Sequence, residues 1–120
     1  MEIKLFESEL KVMEILWEEG EATAKRIAER CAEAAGWSKT TTYTVIKKCI
    51  DKGAIERRDP NFRCIPLISR ADAQRYETRE LIDRMYGGAP DRLMAALLSE
   101  RTLSREEIGK LRALIEKLEG

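Results

Sequence analysis

Residues 38–48 read SKTTTYTVIKK, which sets hydroxyls from Thr40, Thr41, Tyr43 and Thr44 beside the ammonium groups of Lys47 and Lys48. Threonine is a mediocre helix former, so a segment this rich in it needs a reason beyond propensity. Threonine hydroxyls can serve phosphates or base edges, their methyls can meet thymine, and lysines replace the counterions that surround a nucleic-acid backbone. Tyr43 adds a phenol and a ring face. A second basic group follows in AIERRDPNFRCIPL, where Arg57, Arg58 and Arg63 flank an Asp-Pro-Asn turn.

Positioning such groups requires a helix with one buried face. Thr42, Val45, Ile46, Cys49 and Ile50 fall at i, i+3, i+4, i+7 and i+8, which predicts a helix over 38–52 whose opposite side carries the hydroxyls and lysines. Ser38 is placed to accept an orphan N–H in its first turn, next to Lys39, and Gly53 to end it. Upstream, Leu10, Met13, Leu16 and Trp17 predict a first helix over 7–19, with Ser8 as its cap and Gly20 as its stop. Thr23 caps a second helix that turns Ile27, Cys31, Ala28 and Ala34 inward and ends at Gly36. The short link between these two helices requires them to pack together. Downstream, the change to AIERRD and RCIPL predicts two short strands and a hairpin over 54–66, with Pro66 at a strand end.

Three helices followed by a basic hairpin is the order of a winged helix-turn-helix domain, with its third helix in the major groove and its hairpin, the wing, on the backbone. This domain is expected over 1–67. Charge supports the reading although 22 Lys/Arg balance 22 Asp/Glu overall. Residues 1–36 hold five basic against nine acidic residues, 37–66 hold seven against three, and 67–120 hold ten of each. Positive charge is therefore concentrated where the hydroxyls are.

Other chemistry finds no support. The chain has no histidine, and Glu18, Glu19 and Glu21 have no nucleophile or phosphate loop to partner them. YGGAP lacks the spaced glycines and lysine of a phosphate cradle. Cys31, Cys49 and Cys64 have no CxxC spacing and read as small buried apolar groups, with a thiol redox regulator as the competing view. Trp17 and Trp37 read as core rather than as stacking platforms. No catalytic group, metal site or cofactor is expected. The composition, 43% hydrophobic and 37% charged with seven glycines and three prolines, suits a mainly helical chain of about one domain. No stretch is apolar enough for a membrane span, and the acidic N-terminus is unlike a signal peptide, so a cytoplasmic location is expected.

Residues 68–120 differ in kind. Tyr76, Ile82, Met85 and Tyr86 mark one helix before a glycine pair, and Leu93, Met94, Leu97 and Leu98 mark a shorter one. A Ser104/Glu107 capping box then opens a third, with Ile108, Leu111, Ile115 and Leu118 at near-heptad spacing. Three short amphipathic helices cannot close a core alone, so this segment is expected to complete itself by dimerising. The predicted interface residues are Ile82, Met85, Tyr86, Leu93, Leu97, Leu98, Ile108, Leu111, Ile115 and Leu118.

The segments ELKVMEILWEEGEATAKRIAE, GWSKTTTYTVIKKCIDKGAIERR, DRMYGG and LSREEIGKLRALIEKL, in this order, resemble the penicillinase-repressor (BlaI/MecI/CopY) family of bacteria over nearly the whole chain. The resemblance implies a winged-helix domain followed by a helical dimerisation domain. It implies a homodimer that represses transcription from an inverted-repeat operator with TACA/TGTA-type half-sites, and a membrane sensor-protease system as a candidate partner. By position, Ser38, Thr40, Thr41, Tyr43, Thr44, Lys47 and Lys48 match the family's recognition helix, with Lys39 beside them, and Arg57, Arg58 and Arg63 match its wing. Members often carry a basic residue where this chain has Thr40 or Tyr43. Some members are inactivated by cleavage within an Asn-Phe pair, and the matching positions here, Ala96 and Leu97, make that candidate region a departure. The C-terminus also lacks the cysteine motif of the copper-responsive branch. The competing class is a winged-helix module that binds a protein through the same face.

Overall fold

In a computed structural model that describes residues 3–119, the chain is mainly α-helical with one small antiparallel sheet. Contacts divide it into two compact units, one running to Thr78 and the other starting at Arg79. The first unit therefore continues past Leu67.

Helix α1 runs Glu7–Glu19 and buries Glu9, Val12, Met13, Ile15 and Leu16. Its inward stripe is thus rotated from the predicted one: Leu10 is exposed and Trp17 half-buried, while Val12 and Ile15 face in. The cap also differs, because Phe6 rather than Ser8 holds the N-cap position and its backbone N–H donates to Glu9 Oε1 at 2.8 Å. The acidic side chain of the third helical residue thereby satisfies a donor that Ser8 cannot reach. Gly20 closes the helix at φ 85°, a left-handed conformation that a side chain would disfavour.

Helix α2, Ala24–Ala35, begins as predicted with Arg26 N–H donating to Thr23 Oγ1 at 3.1 Å, and ends at a left-handed Gly36. Ile27, Ala28 and Cys31 are buried, whereas Ala34 lies outside the stripe and is exposed. Arg26 and Arg30 of α2 both reach Glu19, and Arg30 also reaches Glu18, at 3.1–3.3 Å, which braces the first two helices across their short link. The Arg26 hydrogen bond holds the exposed Glu19 carboxyl below its ordinary range.

Helix α3 spans Lys39–Asp51, with Thr42, Val45, Ile46 and Cys49 buried and Ile50 half-buried against the same core. Lys52 follows as its C-cap. Three strands form the sheet β1-β3-β2: β1 is Ala22–Thr23, β2 is Ile55–Arg58 and β3 is Arg63–Pro66. The hairpin of β2 and β3 follows the predicted pattern, with its turn at residues 59–62. Strand β1 is too short to carry a periodic signal. It forms because Ala22 and Thr23 meet Cys64 and Arg63 across an antiparallel ladder. Trp17 is tied down by its indole Nε1–H, which donates to Ile68 O at 2.9 Å.

Helix α4 covers Arg70–Met85, α5 Pro90–Ser99 and α6 Arg105–Glu119. The Ser104/Glu107 capping box is made in both directions, at 2.9 and 3.1 Å. Among the described residues, no helix is long and apolar enough to cross a membrane.

The least expected feature of the core is the carboxylate of Glu9, 2% exposed. Lys52 Nζ donates to it at 2.6 Å and to Lys4 O at 2.8 Å, while lying 4.1 Å from the centroid of the Phe6 ring. This cluster ties the end of α3 to the start of α1. Removing the cation leaves a buried negative charge with one backbone donor, whereas removing the charge on Glu9 leaves an ammonium that can swing into water. Lys52→Met is expected to destabilise the fold by about 2 kcal/mol, less than a fully enclosed pair would lose. Glu9→Gln, which keeps an oxygen for Phe6 N–H, is expected to cost at most about 1 kcal/mol. Urea denaturation midpoints decide the order, and a larger loss for Glu9→Gln would contradict this account.

The three cysteines are all buried thiols of the first unit. Burial raises the Cys31 pKa, and pushes Cys49 up to about 12 and Cys64 up to about 11, all towards the neutral thiol. Because the thiolate is the reactive form, the native chain at neutral pH is expected to resist iodoacetamide until denaturant is added. Mass spectrometry showing rapid native alkylation would restore the redox alternative.

Candidate nucleic-acid interface

Helix α3 is held so that one face is wholly committed and the other open. Ser38 caps it, accepting the Thr41 N–H at 3.1 Å and donating its own hydroxyl to Thr41 Oγ1 at 3.0 Å. Thr42, fully buried, donates to Ser38 O at 3.2 Å, so its hydroxyl is satisfied without water. Of the remaining threonines, Thr44 donates back to Thr40 O at 2.9 Å. What Thr44 presents outward is therefore a methyl and acceptor lone pairs rather than a free donor. Thr40 makes no side-chain hydrogen bond among the described residues.

Ser38, Lys39, Thr40, Thr41, Thr44, Lys47 and Lys48 are all exposed, and Tyr43 is half-buried. Lys39, Thr40, Tyr43, Thr44 and Lys47 line one shallow open depression along the helix. Among the described residues no carboxylate pairs with Lys39, Lys47 or Lys48. These are cations without a protein counterion, set around hydroxyls and methyls.

The wing is arranged differently from its sequence impression of three clustered arginines. Side chains alternate along a strand, so Arg58 on β2 and its partner Arg63 on β3 share one face. Arg57, paired with the buried Cys64, lies on the other. Each arginine also has a carboxylate neighbour. Arg57 meets Asp59 at 3.3 Å, Arg58 meets Glu56 at 2.5 Å, and Arg63 pairs with Glu21, which precedes β1. Like charges placed opposite on Arg58 and Arg63 would repel, and the two acids relieve this. Sequence reasoning missed these acids because Glu56 and Glu21 count only as negative charge until the ladder places them.

It also missed Phe62, which is half-buried where the wing approaches α3. Its ring meets Tyr43 edge to face, with centroids 5.7 Å apart and planes at 88°. Arg57 lies over the same ring, 3.8 Å from the centroid. The only sequence signal for Phe62 was a lone aromatic beside a turn.

In the second unit, no described residue of α5 or α6 is buried. Of the predicted interface residues, Met85, Leu97, Leu98, Ile108, Ile115 and Leu118 are exposed, and Tyr86, Leu93 and Leu111 are half-buried. Ile82 is already buried within the chain, and Leu114, which the near-heptad spacing passed over, is 60% exposed. Ala96 and Leu97 lie inside α5, not at an exposed loop tip where chains are preferentially nicked. Among the described residues no cluster of His, Cys, Asp or Glu could hold a metal ion.

The first unit's architecture matches solved structures. A solution structure of the DNA-binding domain of the repressor BlaI superposes with a TM-score of 0.55 at 23% identity, covering 60% of this chain and 90% of that one. The monomeric form of Bacillus licheniformis BlaI, in complex with the blaP half-operator, gives 0.53 at 22%, with the same coverage. At these identities the likeness establishes the winged-helix fold. Over sequence, the methicillin resistance regulatory protein MecI of Mammaliicoccus sciuri is 30% identical across 112 residues, 92% of this chain and 91% of that protein. The penicillinase repressor of Bacillus licheniformis is 24% identical over 95% of this chain and 91% of its own length. The penicillinase repressor family model itself aligns with residues 5–117, almost from end to end, and the chain belongs to that family.

Proposed function

We propose that the protein is a transcriptional repressor that works as a homodimer on an inverted-repeat operator, in the cytoplasm where that DNA lies. The observation that carries this is the open face of α3. Three lysines that no carboxylate pairs with among the described residues frame Thr40, Thr41, Tyr43 and Thr44 on a helix whose other side is locked into the core. Such a face can exchange condensed cations on DNA for its own ammonium groups while the threonine methyls and lone pairs meet base edges. The wing arginines supply backbone contacts beside it, and the family's repressors support the same reading. Residues 1–67 carry the reading function and 68–120 the dimerisation function, although the first compact unit runs on to Thr78.

Dimerisation is inferred from apolar surface. Ile108, Leu114, Ile115 and Leu118 are exposed on α6, and Leu97 and Leu98 on α5, a large apolar area for a chain on its own. A second copy covers such helices and turns two weak half-site contacts into one event of high effective concentration.

Fluorescence anisotropy on duplex DNA at several salt concentrations tests the DNA reading. Lys47→Ala is expected to weaken binding and reduce the magnitude of the log–log salt slope by about one. Arg58→Ala should reduce it less, because Glu56 already neutralises part of that charge, and Glu56→Gln should tighten binding. Salt-independent binding, or unchanged binding across all three variants, would sink the assignment. For the dimer, Ile115→Glu is expected to give a monomer by light scattering. A wild-type chain that is already monomeric at micromolar concentration would remove this part of the reading.

A further inference from the structure

Arg57 is the wing cation on the face of the sheet that carries the buried Cys64, and a continuous line of rings connects it to α3. Its guanidinium lies 3.8 Å from the centre of the Phe62 ring, Phe62 meets Tyr43 at 5.7 Å, and Lys39 Nζ lies 5.6 Å from the centre of the Tyr43 ring. The order is cation, ring, ring, cation, from β2 through the turn to the helix. Phe62 is itself fixed by its backbone. Its carbonyl accepts the N–H of Ala24 at 2.9 Å, at the start of α2, and its φ is 50°, a conformation side chains seldom adopt. One residue thus touches the wing, the recognition helix and the helix that precedes it.

We propose that Phe62 is a positioning residue for DNA binding: without touching the duplex, it holds Arg57 of the wing in register with Tyr43 and Lys39 of α3. This rests on the DNA-binding reading above. A free arginine loses rotamer entropy when it is fixed on a phosphate. Stacked flat on Phe62, with Nε held 3.3 Å from Asp59, Arg57 has lost much of that freedom beforehand, and its terminal N–H groups remain for phosphate oxygens. The wing and the helix then meet DNA as one surface rather than as two.

The test is a double-mutant cycle on the full-length chain, with a random-sequence DNA duplex as probe. Phe62→Leu is expected to weaken binding about two- to fivefold, the factor that corresponds to an exposed cation–π contact, and Phe62→Tyr to restore it. Arg57→Ala should then cost less in the Phe62→Leu background than in the wild type, by the same factor. A merely structural Phe62 would instead give losses that multiply independently, and that result overturns the proposal. If Phe62→Leu melts below the assay temperature, the cycle is repeated with Phe62→Met, which fills space without a ring face. Failure of both to fold assigns Phe62 to the core and also overturns it. A wild-type chain that ignores the duplex at low salt removes the DNA reading itself, whereas binding with no coupling removes only the role of Phe62.

Discussion

Everything proposed for this protein depends on a helix of 13 residues that must be gripped on one side and left bare on the other. The grip borrows little from the bare side: Ser38 and Thr41 at the cap, and Tyr43, half-buried against the core, serve both. Thr42, Val45, Ile46 and Cys49 enter the core, Ser38 satisfies the first turn, and Lys52 reaches past the last turn to Glu9. The Glu9–Lys52 contact is costly to desolvate, and a hydrophobic pair in its place could be as stable. What an ion pair adds is direction: it fixes where the end of α3 lies against the beginning of α1, which apolar packing specifies less sharply.

Most of this arrangement was legible in the sequence because α3 carries strong, mutually consistent local signals. Its cap, its period and its stop agree, and the helix appears where they place it. The first helix shows the limit of such reasoning. VMEILW offers apolar residues on more than one side, so the stripe through Leu10 and Trp17 competes with the one through Val12 and Ile15. Only contacts with α2 and α3 choose between them. The same applies to Glu9, whose burial depends on Lys52, 43 residues away. Strand β1 left no trace because two residues have no period. The partition of the arginines between two faces was implicit in strand alternation, yet it needed the register Arg57↔Cys64 to become visible.

The threonines divide by hydrogen-bond chemistry more finely than by direction. Thr42 and Thr44 both spend their donors on carbonyls one turn back, which lets a helix tolerate residues that otherwise compete with its backbone. Thr41 shares a hydroxyl contact with Ser38, and Thr40 remains uncommitted among the described residues. Among the exposed threonines only Thr44 has given up its donor, so the face keeps hydroxyl donors on Thr40 and Thr41 beside methyls and lone pairs, framed by ammonium groups. Its complement is a surface that offers acceptors and apolar edges between phosphates.

The acids beside the wing bear on how such a protein would behave in a living cell. Glu56, Asp59 and Glu21 stand next to Arg58, Arg57 and Arg63 as tethered anions. When Arg58 or Arg63 turns to a phosphate, the anion it leaves is the protein's own and cannot diffuse away. Part of the ionic exchange on binding is therefore intramolecular. Occupancy of a polyanion then drifts less when the surrounding salt is concentrated, so the wing buffers binding against a change that ionic strength alone would impose.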